Sequence, residues 1–310
     1  MTNSTRIRSR FSWLLSCAAL ALGWGLISST PSAQSYNSGQ PVWPAFEGWE
    51  KNEDGTANLV FGYMNDNWRE ELDVPVGPDN NLSPGTPDQG QPTHFLPRRN
   101  RFIFRVKVPK DFGSKELVWS LTTQGKTQKA YGSLRLDLLI ENIDIMSETG
   151  ALGAGSSNPE LRADKPPVVT IEGSRSRTAK VGQPLTLTAL VTDDGVPKVR
   201  PVPADRVRQA ARVWPYRPTV AKNVGLHLAW HVYRGAGEVT FTPAQIKTWE
   251  DTRSGANSPW APIWVAPPAP PDGRHTAQVV FSEPGTYVLR ARADDGALTG
   301  DAELTVTVTQ

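Results

Sequence analysis

The sequence predicts an all-β chain, with two β-sandwich domains behind a cleaved signal peptide. Three observations predict it. Gly 26 and Pro 27 together make about 17% of the 310 residues, against roughly 12% in average usage, an excess that favours turns over long helices. Apolar and polar residues alternate along most of the chain, which is the period of a half-buried strand. The N-terminus carries a basic stretch followed by an apolar run, the pattern of an export leader. Hydrophobic residues at 38% and charged residues at 21% suffice to close a core and exclude disorder throughout.

The leader comes first. Arg6, Arg8 and Arg10 form a basic region with no acidic residue near it, and the apolar stretch 11–27 follows. Ala33 and Ser35 fit the −3 and −1 positions of a signal peptidase site, with cleavage after Ala33 the alternative; the leader is set at 1–33. The apolar run is short for a membrane span, so no stable membrane insertion is expected after cleavage. Leu14-Leu15-Ser16-Cys17 loosely resembles a lipobox, but the apolar run continues past Cys17, which is read as an ordinary residue of that run. Cys17 is also the only cysteine, which excludes a disulfide framework and a thiolate zinc site. Without the leader the chain has 30 basic against 31 acidic residues, and its formal charge moves from +2 to −1. Such a balance argues against nucleic-acid binding, which depends on positive potential. A periplasmic or secreted protein is expected.

The first domain is placed at 41–146. The stretch 58–63, Asn-Leu-Val-Phe-Gly-Tyr, reads as a strand after the Glu53-Asp54-Gly55 turn signal. In 101–108, Phe102, Phe104, Val106 and Val108 fall on one face and Arg101, Arg105 and Lys107 on the other, broken by Ile103. Leu117-Val118-Trp119-Ser120-Leu121-Thr122 is a further strand, and 76–97, rich in Gly, Pro, Asp and Asn, reads as a long loop. Residues 147–165 read as a Gly/Ser-rich linker.

The second domain, 166–310, begins at Val168-Val169-Thr170-Ile171 and continues with an alternating strand over 185–191. Leu226, Leu228, Trp230 and Val232 make an apolar face opposite His227, Ala229, His231 and Tyr233. Strands at 277–281, 286–293 and 302–309 close the chain, separated by Glu283-Pro284-Gly285 and Asp294-Asp295-Gly296. Long insertions lie at 196–224 and 243–275, and the only helical signal is a turn or two in 204–213.

Within this domain Val181-Gly182-Gln183-Pro184-Leu185, Trp230, the segment 235–241, Phe281-Ser282-Glu283-Pro284-Gly285-Thr286-Tyr287-Val288-Leu289 and Asp295-Gly296 resemble bacterial immunoglobulin-like domains of the PKD and cadherin-like type. The resemblance covers about 166–309. It implies an immunoglobulin-like sandwich, with the tryptophan packing the core from a middle strand. In the first domain, Phe61-Gly62-Tyr63-x-Asn65, Pro75-Val76-Gly77, Asn80, Asp88-x-Gly90-Gln91-Pro92-Thr93 and Leu117-Val118-Trp119-x-Leu121 are similar to a module of exported bacterial surface proteins. That similarity implies an extracytoplasmic setting and brings no activity with it.

Two clusters are candidate sites. Asp193-Asp194-Gly195 and Asp294-Asp295-Gly296 end strands that an immunoglobulin topology brings to one pole, and four carboxylates there suit calcium. Against this, Asp-Gly also serves tight turns with no ion; no other cofactor is implied. Trp249, Trp260 and Trp264 lie among polar residues of the second insertion, where indoles stack on sugars or anchor a protein, or else form the insertion's own small core. His227 and His231 share a strand face without a third ligand and read as solvated. The basic residues between Lys198 and Lys222 suit an acidic partner or plain solvation. No Gly-x-Ser-x-Gly, His-Glu-x-x-His or phosphate-binding Gly-Lys-Ser/Thr occurs, so no enzyme is expected. The expectation is a non-catalytic binding or structural module that meets a protein or glycan at the cell envelope. The alternatives are a carbohydrate-binding module working through exposed tryptophans and, further off, a glycoside-type hydrolase with two carboxylates about 5–10 Å apart.

Overall fold

A computed structural model describes residues 36–148, 158–198, 225–245 and 267–310. The leader, the Ala204–Val213 helical signal and the three tryptophans Trp249, Trp260 and Trp264 lie outside these residues. From Asn37 to Gln310 the chain forms one compact unit.

Its first half is a sandwich of short antiparallel sheets. Strands β1 (Val42–Lys51), β2 (Ala57–Asn65) and β6 (Arg98–Val108) make one sheet, and β4 (Asn80–Ser83), β7 (Leu117–Thr123) and β8 (Lys126–Gly132) the other. A two-stranded ladder of β3 (Leu72–Asp73) and β5 (His94–Phe95) sits beside them. The alternation in β7 leaves Leu117, Trp119 and Leu121 buried, and Trp119 meets Phe104 edge-on at 4.9 Å and Phe61 at 6.1 Å. Offset and edge-to-face rings of this kind add to the area they bury.

Two expectations for this half need correction. The stretch 76–97 is not all loop, since it contains β4 and β5. Asn80 hides the strand from a hydropathy reading. Its buried amide donates to the Val74 and Pro92 carbonyls and accepts from Trp119 Nε1, so a polar side chain fills a core position. Phe102 does not share a face with Phe104. The β2–β6 register shifts between Phe61 and Tyr63, and Phe102 takes φ 53°. This bulge turns Phe102 outward and sends Ile103 into the main core. Gly62 lies opposite, where a Cβ would meet the Asn100 carbonyl oxygen at 2.5 Å, so only glycine admits the bulged strand.

The second half has two four-stranded sheets. One runs β9 (Val168–Ile171), β11 (Leu185–Thr192), β14 (Arg274–Phe281), β13 (Val239–Thr242). The other runs β10 (Ser176–Lys180), β16 (Thr299–Thr309), β15 (Gly285–Asp294), β12 (His227–Arg234), with β10 parallel to β16. This is the ABED and CFG arrangement of an immunoglobulin-like sandwich, with a short extra edge strand. Trp230 of β12 is buried in its core, as expected from the sequence. Tyr287 opens β15, packs against Phe281 and donates its hydroxyl to the Glu283 carbonyl at 3.0 Å, the corner that ties the start of this strand in such folds.

Between the halves stand a 3-10 turn at Leu136–Leu138 and two helices, α1 (Asn142–Glu148) and α2 (Pro159–Arg162). Ile145 and Met146 of α1 are buried with Val60 and Phe102 of the first sandwich and Ala297 and Leu298 of the second. The seam between the halves is therefore partly apolar.

Candidate functional site

Two regions of the described residues carry chemistry: the seam between the sandwiches and the acidic pole of the second one.

At the seam, the outward face of the β12–β15–β16 sheet meets the first sandwich. The buried Arg290 guanidinium lies 3.5 Å from the Tyr233 ring centroid, pairs with Glu303 and donates to the Ile103 carbonyl. Arg292 pairs with Asp301 at 2.8 Å. The loop containing Asp88-x-Gly90-Gln91-Pro92-Thr93 forms the other side. Tyr233 donates its hydroxyl to the Gly90 carbonyl, and Arg234 donates to the Gln91 carbonyl and to both oxygens of Asp88 at 2.9 and 2.7 Å. Thr93 N donates to the Tyr233 carbonyl at 3.1 Å, and Gly235 N to the Thr93 hydroxyl at 3.2 Å. Gln91 holds the loop in shape, its buried amide donating to the Pro87 carbonyl.

The histidine reading needs correction. His227 and His231 are buried, not solvated. A strand face with alternating polar residues looks solvated in sequence, but His227 packs beside His275 and the prolines Pro267 and Pro268 of its own sandwich, and farther along the strand Tyr233 is covered by the Gly90 loop.

At the pole, β11 and β15 belong to opposite sheets and lead into Asp193-Asp194-Gly195 and Asp294-Asp295-Gly296, with Asp193 and Asp295 lining one cleft. Asp194 and Asp294 serve their own turns: Asp194 Oδ1 accepts from Val196 N at 3.0 Å and Asp294 Oδ1 from Gly296 N at 2.7 Å. Asp194 Oδ2 also accepts from Lys165 N at 3.2 Å, which ties the incoming interdomain segment to the pole. Asp193 and Asp295 each keep one oxygen back. Asp193 Oδ2 accepts from Gly195 N and Asp295 Oδ1 from Ala297 N and Leu298 N, while Asp193 Oδ1 and Asp295 Oδ2 are buried without a hydrogen-bond partner. Both residues line an open cleft of about 550 Å³ with Asp272, His275 and Leu226.

Sequence reasoning missed a fifth acid. Asp164 follows α2, is 3% exposed, and has both carboxylate oxygens buried and unpartnered. Burial, then the charges of Asp194 and Asp193, pushes its pKa up to about 7. Burial likewise pushes Asp295 up to about 8, against the pull of its two backbone donors and with Asp164 and Asp294 adding to the rise. Asp193 is raised as well, by burial first. Among the described residues no lysine or arginine pairs with any of the five carboxylates. Nothing around Asp164 in the sequence marks it, because it sits between Arg162 and Lys165 in what reads as a linker. Among the described residues, no group of three or more His, Cys, Asp or Glu side chains is placed to hold a metal ion.

No protein-family model matches the chain, and no curated protein matches it. Solved structures do. The D0-D1 domain of intimin is 10% identical, with 85% of this chain and 97% of that one covered at a TM-score of 0.22. The fibronectin(III)-like modules of Clostridium thermocellum CbhA are 9% identical, with 87% and 95% covered at 0.23. A conjugative transposon lipoprotein from Bacteroides eggerthii is 8% identical, with 46% and 96% covered at 0.26. At these values the likenesses transfer no site and no activity to this chain. The immunoglobulin-like description rests on the strand order above. No helix among the described residues is long and apolar enough to cross a membrane.

Proposed function

We propose that the chain is an exported, non-catalytic binding or structural module of the cell envelope, a rigid pair of β-sandwiches that carries the insertions 196–224 and 243–275 to a protein or glycan partner. The observation that supports this reading most is the seam. Tyr233, Arg234 and Arg290 reach from one sandwich to main-chain carbonyls of the other. Backbone partners lock position and orientation together, so the pair holds its loops at a set distance, as a display scaffold requires. The PKD and cadherin-like resemblance of the second sandwich fits a module used in arrays outside the cytoplasm. On this reading Trp249, Trp260 and Trp264 are the anchors, since large indoles supply most of the affinity in a contact ringed by polar groups.

The test is co-sedimentation of the mature chain with purified envelope fragments, beside a triple variant with Trp249, Trp260 and Trp264 changed to alanine. The proposal expects wild type to pellet and the triple variant to stay in solution with an unchanged circular-dichroism spectrum. Equal behaviour of the two proteins contradicts it. Release of the pelleted wild type by soluble polysaccharide identifies the partner as a glycan and selects the carbohydrate-binding form of the reading.

A further inference from the structure

A pocket on the edge of the second sandwich carries an inference that needs neither the envelope partner nor the tryptophans of the insertion. β12 and β13 are the last strands of their sheets. Between this edge of β12 and the start of β14 the sandwich keeps a half-open pocket of about 360 Å³, a size that suits a small molecule. Its walls are mostly apolar, with Leu228 and Trp230 of β12, Ala277 of β14 and the prolines Pro243, Pro267 and Pro268. The Gln245 side chain ties one wall to the strand it faces. Its Oε1 accepts from Trp230 N at 2.9 Å, and its Nε2 donates to the Pro243 carbonyl at 2.9 Å.

Two lining residues carry polar atoms without partners. Trp230 is 2% exposed, and its Nε1 has no hydrogen-bond partner. An indole N–H can only donate, so an acceptor is what relieves the cost of burying it. His275 Nε2 is buried without a partner as well. Burial first, then the charge of His227, pulls the His275 pKa below its ordinary value. The ring is therefore neutral at neutral pH and donates from Nε2 in the tautomer that carries its proton there. Among the described residues no aspartate or glutamate lines the pocket, whereas His227, His275 and Arg274 do, the last held by Glu172 at 2.6 Å.

We propose that this pocket binds a small apolar carboxylate, its hydrocarbon body against Leu228, Ala277 and the prolines and its oxygens accepting from Trp230 Nε1 and His275 Nε2.

The donors select the head group. A carboxylate brings two acceptor oxygens and no donor, which matches an indole and an imidazole that both need acceptors. An amide brings one acceptor and two donors of its own, and an ammonium brings donors alone; neither finds partners among proline rings and aliphatic side chains. A sugar spreads hydroxyl donors over the same apolar walls and fails for the same reason. The hydrocarbon body supplies the rest, since each part of it that leaves water for these walls is stabilised in proportion to its area.

The test uses phenylpropionate, titrated by calorimetry into the mature chain, with phenylpropionamide and phenylpropylamine as controls. A ligand of this size binds with Kd on the order of 10⁻⁴–10⁻³ M, and the controls bind about tenfold more weakly or not at all. In heteronuclear spectra of protein labelled at its indole nitrogens, one N–H signal moves downfield as phenylpropionate binds, and Trp230→Phe removes that signal. His275→Leu keeps the bulk of the side chain and removes the donor, so affinity falls about tenfold with no loss in melting midpoint. Should Trp230→Phe fail to fold, His275→Leu decides alone. The triple variant at Trp249, Trp260 and Trp264 keeps full affinity for phenylpropionate, which separates failure of this pocket from failure of the envelope contact. No heat and no signal shift at about 10 mM phenylpropionate, equal binding of either control, wild-type affinity in His275→Leu, or loss of binding in the triple variant overturns the proposal.

Discussion

His94 lies buried between two acids, its Nδ1 2.7 Å from Asp73 and its Nε2 2.7 Å from Glu71. Burial alone lowers an imidazole pKa, but here the hydrogen bonds and charges of Asp73 and Glu71 outweigh it and raise His94 to about 9. Its pKa is therefore higher folded than unfolded, where about 6.5 applies. The stabilisation is complete below pH 6.5 and is lost as pH rises through 9. Denaturant unfolding at pH 6 and pH 9.5 is expected to show a loss of about 1–3 kcal/mol from this group, and His94→Gln to flatten the profile over that window. An unchanged slope in the variant counts against the imidazolium. Single residues were unevenly legible. Trp230 and Tyr287 stand in a recognisable pattern and take the roles that pattern implies. Asp164 and His94 do not, because burial and long-range partners define them, and neither leaves a mark in the neighbouring sequence.

Strands were legible where one face meets the core and the other meets water. β7 and β16 alternate cleanly and fall where expected. The signal fails wherever polar side chains go inside. β4 is held by the buried amide of Asn80, β6 reverses its pattern at the Phe102 bulge, and the polar face of β12 is covered by its own sandwich at His227 and by the Gly90 loop at Tyr233. The Asp88–Thr93 loop stood out as part of a motif, and its role as the dock for β12 emerged only from the contacts of Tyr233 and Arg234. A double-mutant cycle on Asp88→Ala and Arg234→Ala measures that dock. Since Asp88 is half exposed, a coupling of only about 0.5–1.5 kcal/mol is expected from this paired contact. Additive single effects, with no coupling, place the two side chains apart in solution.

Across the whole molecule, the sequence separates two domains by a linker, whereas the folded chain from Asn37 onward is one compact unit. The difference comes from surfaces that look soluble in sequence. Tyr233 reads as part of the face opposite Trp230, yet with Arg290 and Arg292 it grips the first sandwich, while Met146 of α1 packs in one cluster with Val60 and Leu298. Charged pairs and main-chain carbonyls of this kind give no hydropathy signal. A joined pair of sandwiches holds its insertions in one geometry, and the proposed role depends on that. Scanning calorimetry of the mature chain tests it most directly. A single cooperative transition, with calorimetric and van't Hoff enthalpies equal, is predicted for sandwiches that unfold together. Two separate transitions, one for each sandwich, would contradict it.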